Sequence, residues 1–143
     1  MAYFDSIETM FKVYEVFLRK VISDPSVGAK LAKSKVKIRF NYTDPEGTLF
    51  LNFADPPEEE GTFGSYKLGD DTDEADVTMT QTSDFSHRFW QGKENAITAL
   101  AMGKIKASGK VQKAMGLVTA IRPTFRMYKG VLKELGHEDL IIE

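Results

Sequence analysis

The chain contains no cysteine, and this absence excludes disulfides, thiolate metal sites and cysteine nucleophiles together. It has only 2 histidines among 143 residues, so few side chains are suited to acid–base work near neutral pH. The formal net charge of −2 offers no positive excess for holding a phosphate backbone, and we expect no nucleic-acid partner. No apolar run approaches the roughly 18 residues that a membrane-spanning helix needs.

The start of the chain does not show the basic and then apolar pattern of a secretory signal peptide. We therefore expect a cytoplasmic protein. The length fits one domain over residues 1–143, and the sequence shows no internal repeat and no low-complexity segment.

Helical spacing is clearest near the start of the chain. Apolar residues recur every three or four positions from Phe4 to Ile22, which predicts one amphipathic helix. Either Asp5 or Ser6 is suited to cap its start, and Pro25 ends it. A shorter helix is predicted at residues 27–33.

Alternation of apolar and polar residues, typical of half-buried strands, occurs in five short stretches. They are residues 36–40, 49–53, 62–68, 77–80 and 104–108. The first two stretches predict a hairpin over residues 36–54. In the second half, Ser83 and Asn95 are predicted to cap two helices, and helical spacing resumes at residue 111. The sequence therefore predicts an α+β fold: five short, mostly antiparallel strands with helices on one face.

Motifs for phosphate or metal binding are incomplete. Gly103 and Gly109 enclose five residues where the Walker pattern has four, and Val111 stands where a magnesium-binding Ser or Thr belongs. Asp71, Asp73 and Asp76 resemble part of a calcium loop, but the required glycine and the closing glutamate are missing. We predict a strand at the first segment, a solvated acidic turn at the second, and no bound metal or cofactor.

Catalytic constellations are also absent from the sequence. No serine lies in a Gly-x-Ser-x-Gly elbow. His87 stands among Ser86, Arg88 and Gln91, so we expect it on a wet helix face, and His137 lies in no zinc motif. The sequence therefore predicts a protein that is not an enzyme.

Large apolar side chains gather in the helical second half, and four lysines lie close together. The apolar set is Phe85, Phe89, Trp90, Met102, Met115 and Phe125. It is compatible with a plain core or with a cavity, since methionine adapts to irregular apolar ligands. The lysines are Lys104, Lys106, Lys110 and Lys113. They are compatible with a solvated strand face or with transient contact to a membrane surface.

Four motifs in this half resemble the sterol carrier protein type 2 domain family. They are Ala75-Asp76-Val77-Thr78-Met79-Thr80, Gly92-Lys93-Glu94-Asn95, Gly103-Lys104-Ile105-Lys106-Ala107-Ser108-Gly109 and Ala114-Met115-Gly116-Leu117. The resemblance extends from about residue 11 to residue 121, so residues 123–143 are predicted to be a C-terminal helical extension. It implies a five-stranded sheet covered by helices, an apolar tunnel between the layers, and non-catalytic carriage of sterols, fatty acids or acyl-CoA esters.

Within such a tunnel, the predicted ligand-binding residues combine inward strand positions with apolar helix positions. They are Leu49, Leu51, Phe53, Val77, Met79, Phe85, Phe89, Leu100, Met102, Ile105 and Met115. Family members often have a polar residue before the glycine at position 103, whereas this chain has Met102. This departure predicts a more apolar pocket and argues against recognition of a sterol hydroxyl. The alternative function is an accessory interaction module of a lipid-metabolising enzyme.

Overall fold

Five strands form a mixed sheet in the computed structural model, which describes residues 2–69, 72–118 and 120–143. The strands are β1 (Lys37–Thr43), β2 (Gly47–Asn52), β3 (Ser65–Leu68), β4 (Val77–Thr82) and β5 (Lys106–Gly109). Their spatial order is β3-β2-β1-β4-β5, and only β1 and β4 pair in parallel. The predicted α+β fold with a mostly antiparallel sheet is confirmed.

Helices flank the sheet strands in sequence at both ends and between β4 and β5. They are α1 (Ile7–Ser23), α2 (Val27–Ala32), α3 (Ser83–Phe89), α4 (Ala96–Ala101), α5 (Val111–Val118), α6 (Arg122–Glu134) and a 3₁₀ turn (Glu138–Leu140). A helix long and apolar enough to cross a bilayer does not occur in the part of the chain that the structure describes.

One face of the sheet is covered by the helices, because each long strand turns alternate apolar side chains toward them. Ile38, Phe40 and Tyr42 of β1 are buried, and Val77 and Met79 continue the same face on the parallel neighbour β4. We call this side the inner face. The opposite side carries Lys37, Arg39 and Asn41, which are only half buried.

The opposite side of the sheet, which we call the outer face, nevertheless buries one large aromatic ring. Phe50 is 4% exposed on β2, directly across from Arg39 on β1. The Arg39 guanidinium lies 5.6 Å from the centre of this ring and also donates to the backbone oxygen of Asp73. A cation over an aromatic face is attracted to its π electrons, so Arg39 helps to cover this ring.

Helix α1 buries more side chains than any other helix that the structure describes. Ser6 caps it, because the Ser6 hydroxyl accepts a hydrogen bond from the Thr9 amide at 3.1 Å. The side chains that the helix buries lie on one face, as the sequence spacing predicts. They are Met10, Val13, Tyr14, Phe17, Leu18, Val21 and Ile22.

Strands β3 and β5 are shorter than the sequence predicts, and backbone hydrogen bonds explain both differences. The Phe63 amide donates to the Ile22 carbonyl at 2.8 Å, so the chain before β3 is bound to the end of α1. The amides of Lys104 and Ile105 donate to the Ala99 carbonyl, and they therefore close helix α4 instead of starting β5. The prediction that Ser83 caps α3 is also wrong, since the Thr82 hydroxyl accepts the capping hydrogen bond from the Phe85 amide.

The last helix, α6, packs into the core. Tyr128, Val131 and Leu132 are fully buried there. Pro123 lies in the first turn, where its missing N–H leaves no hydrogen bond unmade.

Two predictions about the acidic turn before β4 cannot be compared with the structure. Asp70 and Asp71 lie outside the described residues, so the predicted solvated turn at residues 69–73 and its rejected calcium reading are both untested.

Candidate functional site

A cavity of about 60 Å³ lies between the inner face of the sheet and the helices. Its sheet side is formed by Ile38, Phe40, Leu51, Met79 and Gln81. Its α1 side is formed by Phe17, Leu18 and Val21. The later helices close it with Phe89, Trp90, Ala96, Ala114, Met115 and Leu117, among others. The wall is almost wholly apolar, which favours hydrocarbon over water as an occupant.

Six of the residues predicted from sequence line this cavity. They are Leu51, Phe53, Met79, Phe89, Ile105 and Met115. Five others do not line it: Leu49, Val77, Phe85, Leu100 and Met102. Leu49, Val77 and Phe85 are buried in the surrounding core, and Leu100 packs against it from a half-buried position. Ligand contact by the six lining residues stays a prediction.

Met102 lies on the surface with 67% of its area exposed. It follows the last turn of α4, and Gly103 behind it adopts a φ of +78°, which reverses the chain direction. The side chain at position 102 therefore does not set the polarity of the cavity. The prediction of a more apolar pocket from this residue loses its structural basis.

The residues that sequence reasoning missed include Phe17, Leu18 and Val21 of α1, together with Trp90 and Gln81. Periodicity identifies the α1 residues as core. It does not identify which core residues border a void, because that depends on how facing side chains fill the space between layers.

A second, wider opening lies on the helical side of the molecule, with a volume of about 360 Å³. We call it the outer cleft. It is formed only by residues after β4, and it shares Phe89, Ala96, Val118 and Ile121 with the cavity. These four side chains therefore separate the cavity from the cleft. Lys93 and Arg122 also line the cleft, and neither makes an ion pair within the described ranges.

The prediction that His87 is on a wet helix face is wrong, since His87 is 0% exposed. The rings of Tyr3 and Phe4 lie 4.6 and 5.1 Å from the His87 ring and exclude water. Burial lowers the pKa of His87, which outweighs the opposite effect of the Leu140 carbonyl. The imidazole is therefore neutral at physiological pH.

The hydrogen bonds of His87 fix its tautomer. Nε2 lies 2.7 Å from the Leu140 carbonyl oxygen, which can only accept, so Nε2 carries the proton. Nδ1 then accepts from the Tyr128 hydroxyl at 2.7 Å. Gln91 adds a further bond to the C-terminal segment, because its Oε1 accepts a hydrogen bond from the Ile142 amide at 2.7 Å. These bonds hold the C-terminal segment against α3 and α6.

A neighbouring buried cluster contains three tyrosines. The Tyr14 hydroxyl and the Ser86 hydroxyl are 2.6 Å apart, and the Tyr14 and Tyr128 rings meet edge to face at 5.8 Å. Burial raises the pKa of Tyr14, Tyr42 and Tyr128, so all three phenols stay protonated. Because Tyr14, Ser86, His87 and Tyr128 are all 0% exposed, no substrate reaches these groups in this conformation. The cluster acts in packing.

Other candidate chemistry is equally limited in the described part of the chain. It holds no group of three His, Asp or Glu side chains placed to bind a metal ion. Residues 103–109, which were compared with the Walker pattern, do not form a phosphate loop: Gly103 follows the end of α4, and Lys106–Gly109 is strand β5. Of the four clustered lysines, Lys113 pairs with Asp76 at 3.1 Å and Lys104 with Glu94 at 3.7 Å.

The fold and the cavity together define a small α+β domain with an apolar interior between one sheet and its covering helices. A model of the SCP-2 sterol transfer family matches residues 15–122 of the chain. The match spans most of the chain, so the chain belongs to the SCP-2 sterol transfer family. Proteins of this family bind hydrophobic lipids, and their domains are generally non-catalytic.

Solved structures with the same fold include sterol carrier protein 2 from Yarrowia lipolytica in its apo form. That structure is 22% identical, covers 85% of this chain and 94% of its own, and has a TM-score of 0.62. The sterol carrier protein domain 2 of Helicoverpa armigera is 21% identical over 82% and 88% of the two chains, with a TM-score of 0.61. At these identities the likeness shows the fold.

A third similar structure is UbiJ-SCP2, a ubiquinone synthesis protein. It is 14% identical over 84% of this chain and 93% of that chain, with a TM-score of 0.58. The comparison with curated proteins finds no match.

Proposed function

We propose that the chain binds and carries a hydrophobic lipid, such as a fatty acid, a fatty acyl-CoA or a sterol-like molecule, without transforming it. The observation that carries this proposal is the apolar cavity between sheet and helices. Each buried methylene contributes about 0.8 kcal/mol, so shape and apolar contact alone can hold a long chain. The cytoplasmic location expected from the sequence stays a prediction.

The empty cavity is smaller than such a ligand, and binding therefore requires the walls to separate. A cavity of about 60 Å³ compares with the roughly 300 Å³ or more of most small-molecule sites. The outer cleft supports an entry route on the helical side, where the apolar tail passes Phe89, Ala96 and Ile121. An ionised head group would lie in the cleft beside Lys93 and Arg122, since an unpaired charge in the apolar interior is costly. Glu94 also lines the cleft, but its carboxylate is paired with Arg88 and Lys104.

Ala96 provides a direct test, because it is buried and borders both the cleft and the cavity. Ala96→Phe should obstruct this passage and weaken binding of a fluorescent 16-carbon fatty acid at least about tenfold. Met102→Phe is the matched control, since Met102 lies exposed at the other end of α4 and lines neither space. Equal affinity of both variants and the unmodified chain would argue against this route and this cavity.

A second candidate is an accessory module that docks a lipid-metabolising enzyme. Two observations favour it: Ile97 and Met102 are 62% and 67% exposed near the two ends of α4, and a similar structure belongs to a ubiquinone synthesis protein. The double variant Ile97→Glu, Met102→Glu should then lose an enzyme that the unmodified chain retains from native extract. Retention by both forms, or by neither, would remove this candidate.

A further inference from the structure

Gln81 is a polar residue on an otherwise apolar surface. It is the third inward position of β4, after Val77 and Met79, where alternation calls for another apolar side chain. It is only 5% exposed, and it lines the cavity. A primary amide at this position cannot be explained by contact with solvent.

The Gln81 amide makes no side-chain hydrogen bond with any residue that the structure describes. The other buried Ser, Thr, His and Gln side chains of the described residues do have partners. Ser83 donates to the Pro45 carbonyl at 2.8 Å, and Thr124, which also lines the cavity, donates to the Ile121 carbonyl. An amide that lines an apolar cavity and makes no side-chain hydrogen bond to the protein is free to bond a polar group of a ligand.

The neighbouring inward position on β1 is Tyr42, directly across from Gln81 in the parallel pair of β1 and β4. Tyr42 does not line the cavity, and its hydroxyl lies beside the Ser86 hydroxyl in the buried tyrosine cluster. The polar group that this part of the sheet presents to the cavity is therefore the Gln81 amide.

The cavity contains no cation to accompany a negative charge. Its lining residues include neither lysine nor arginine, whereas Lys93 and Arg122 both lie in the outer cleft. A charged ligand group at Gln81 would be buried without a counterion, at a high cost in free energy. A neutral oxygen would instead satisfy the amide.

We propose that Gln81 recognises the ligand, and that the ligand is an apolar molecule with a neutral oxygen function, an alcohol or a carbonyl, on the part that reaches the sheet. This inference rests on the proposed lipid-binding function and narrows its ligand class. An amide both donates and accepts, so it bonds a hydroxyl or a carbonyl oxygen. Sites with such a group discriminate against analogues that lack the matching oxygen.

The test compares two uncharged probes of equal chain length, decan-1-ol and decane, in the intact chain and in Gln81→Leu. Trp90 is the single tryptophan of the sequence and lines the cavity, so its fluorescence should report whether a probe occupies the cavity. The intact chain should bind the alcohol about tenfold more tightly than the hydrocarbon, and Gln81→Leu should lose that preference. Thr80→Val, one residue earlier but on the opposite face of β4 and outside the cavity wall, is the control and should keep it.

The outcomes separate this inference from the function on which it rests. An undiminished preference for the alcohol in Gln81→Leu, or no preference in the intact chain, would overturn the role of Gln81 while leaving lipid binding intact. Failure of both probes to bind any form would overturn the proposed function and this inference with it. Without any added probe, Gln81→Leu should also raise the unfolding midpoint of the chain. A lowered midpoint would contradict the claim that the Gln81 amide has no hydrogen-bond partner in the protein.

Discussion

His87 illustrates how a single side chain connects distant parts of this molecule. The imidazole lies on α3, accepts from Tyr128 of α6 and donates to the carbonyl of Leu140. Ring contacts with Tyr3 and Phe4 add the N-terminal segment to the same contact. Protonation of Nδ1 would convert it from an acceptor to a donor and would place a charge in a dry environment.

Stability should therefore fall in mildly acidic solution. The lowered pKa means that the unfolded chain binds a proton on His87 at a higher pH than the folded chain does. This contribution is complete above the ordinary histidine value of about 6.5 and is lost as pH falls from there through the lowered pKa. Urea unfolding between pH 7.5 and 5.5 measures it.

His87→Gln supplies the comparison, since glutamine does not titrate. The variant should be less stable overall, because it disrupts the bonds to Tyr128 and Leu140, and its stability should change less between these two pH values. The same loss of stability with acid in both proteins would contradict a role for His87 titration.

Helices α4 and α5 are the weakly held part of the wall around the cavity. The buried residues of α4 are Ala96 and Ala99, and those of α5 are Ala114 and Leu117. Three of these four residues are alanines, which bury little apolar area, so less free energy opposes local opening there than in α1. Helix α1, with rings such as Phe17 in its buried face, is held far more firmly.

Hydrogen exchange should reveal this difference. Amides of α4 and α5 should exchange at least about tenfold faster than those in the middle of α1, and a bound lipid should slow them. Exchange that is equally slow in all three helices, with and without lipid, would indicate that the cavity widens elsewhere or not at all.

Helix α6 begins where the family match ends, at residue 122. The sequence predicts that residues 123–143 are an extension, because the resemblance to the family ends near residue 121. We propose instead that α6 is an integral part of the fold. Tyr128, Val131 and Leu132 are fully buried, and each such side chain contributes about 1.5–3 kcal/mol. Their combined contribution is comparable with the whole stability of a typical domain, about 5–15 kcal/mol.

Truncation after Ile121 should therefore abolish cooperative folding, as monitored by circular dichroism during heating. Truncation after Glu134 is the matched comparison, since it keeps α6 and removes only the segment that His87 and Gln91 bind. The chain truncated after Glu134 should still fold, with a lower stability than the intact chain. A cooperative transition in the chain ending at Ile121 would show that α6 is dispensable.

Across the whole molecule, the sequence predicted the layers better than it predicted the cavity. Alternation in β1 and β4 and helical spacing in α1 depend on which face is buried, and these patterns can be read directly. The start of β5 could not be read, because Lys104 and Ile105 also alternate but bond to Ala99 of α4. Local hydrogen bonds across a chain reversal leave no periodic signal.

Prediction of the cavity was limited for a different reason. Met79 and Met115 line it, whereas Leu49 and Val77, which share the inner face with Met79, are buried in the core beside it. The distinction arises from packing between residues far apart in sequence. Gln81 was missed because the predicted strand ended at residue 80, whereas β4 extends to Thr82 and includes Gln81 on its inner face.

The most direct test of the account is native mass spectrometry of the purified chain after equilibration with vesicles containing fatty acids, fatty alcohols and sterols. An interior that widens to admit a lipid should give a complex of one lipid molecule per chain, which organic solvent dissociates. A spectrum that contains only the unliganded chain at every lipid concentration would contradict the claim that oily molecules enter between the sheet and its helices.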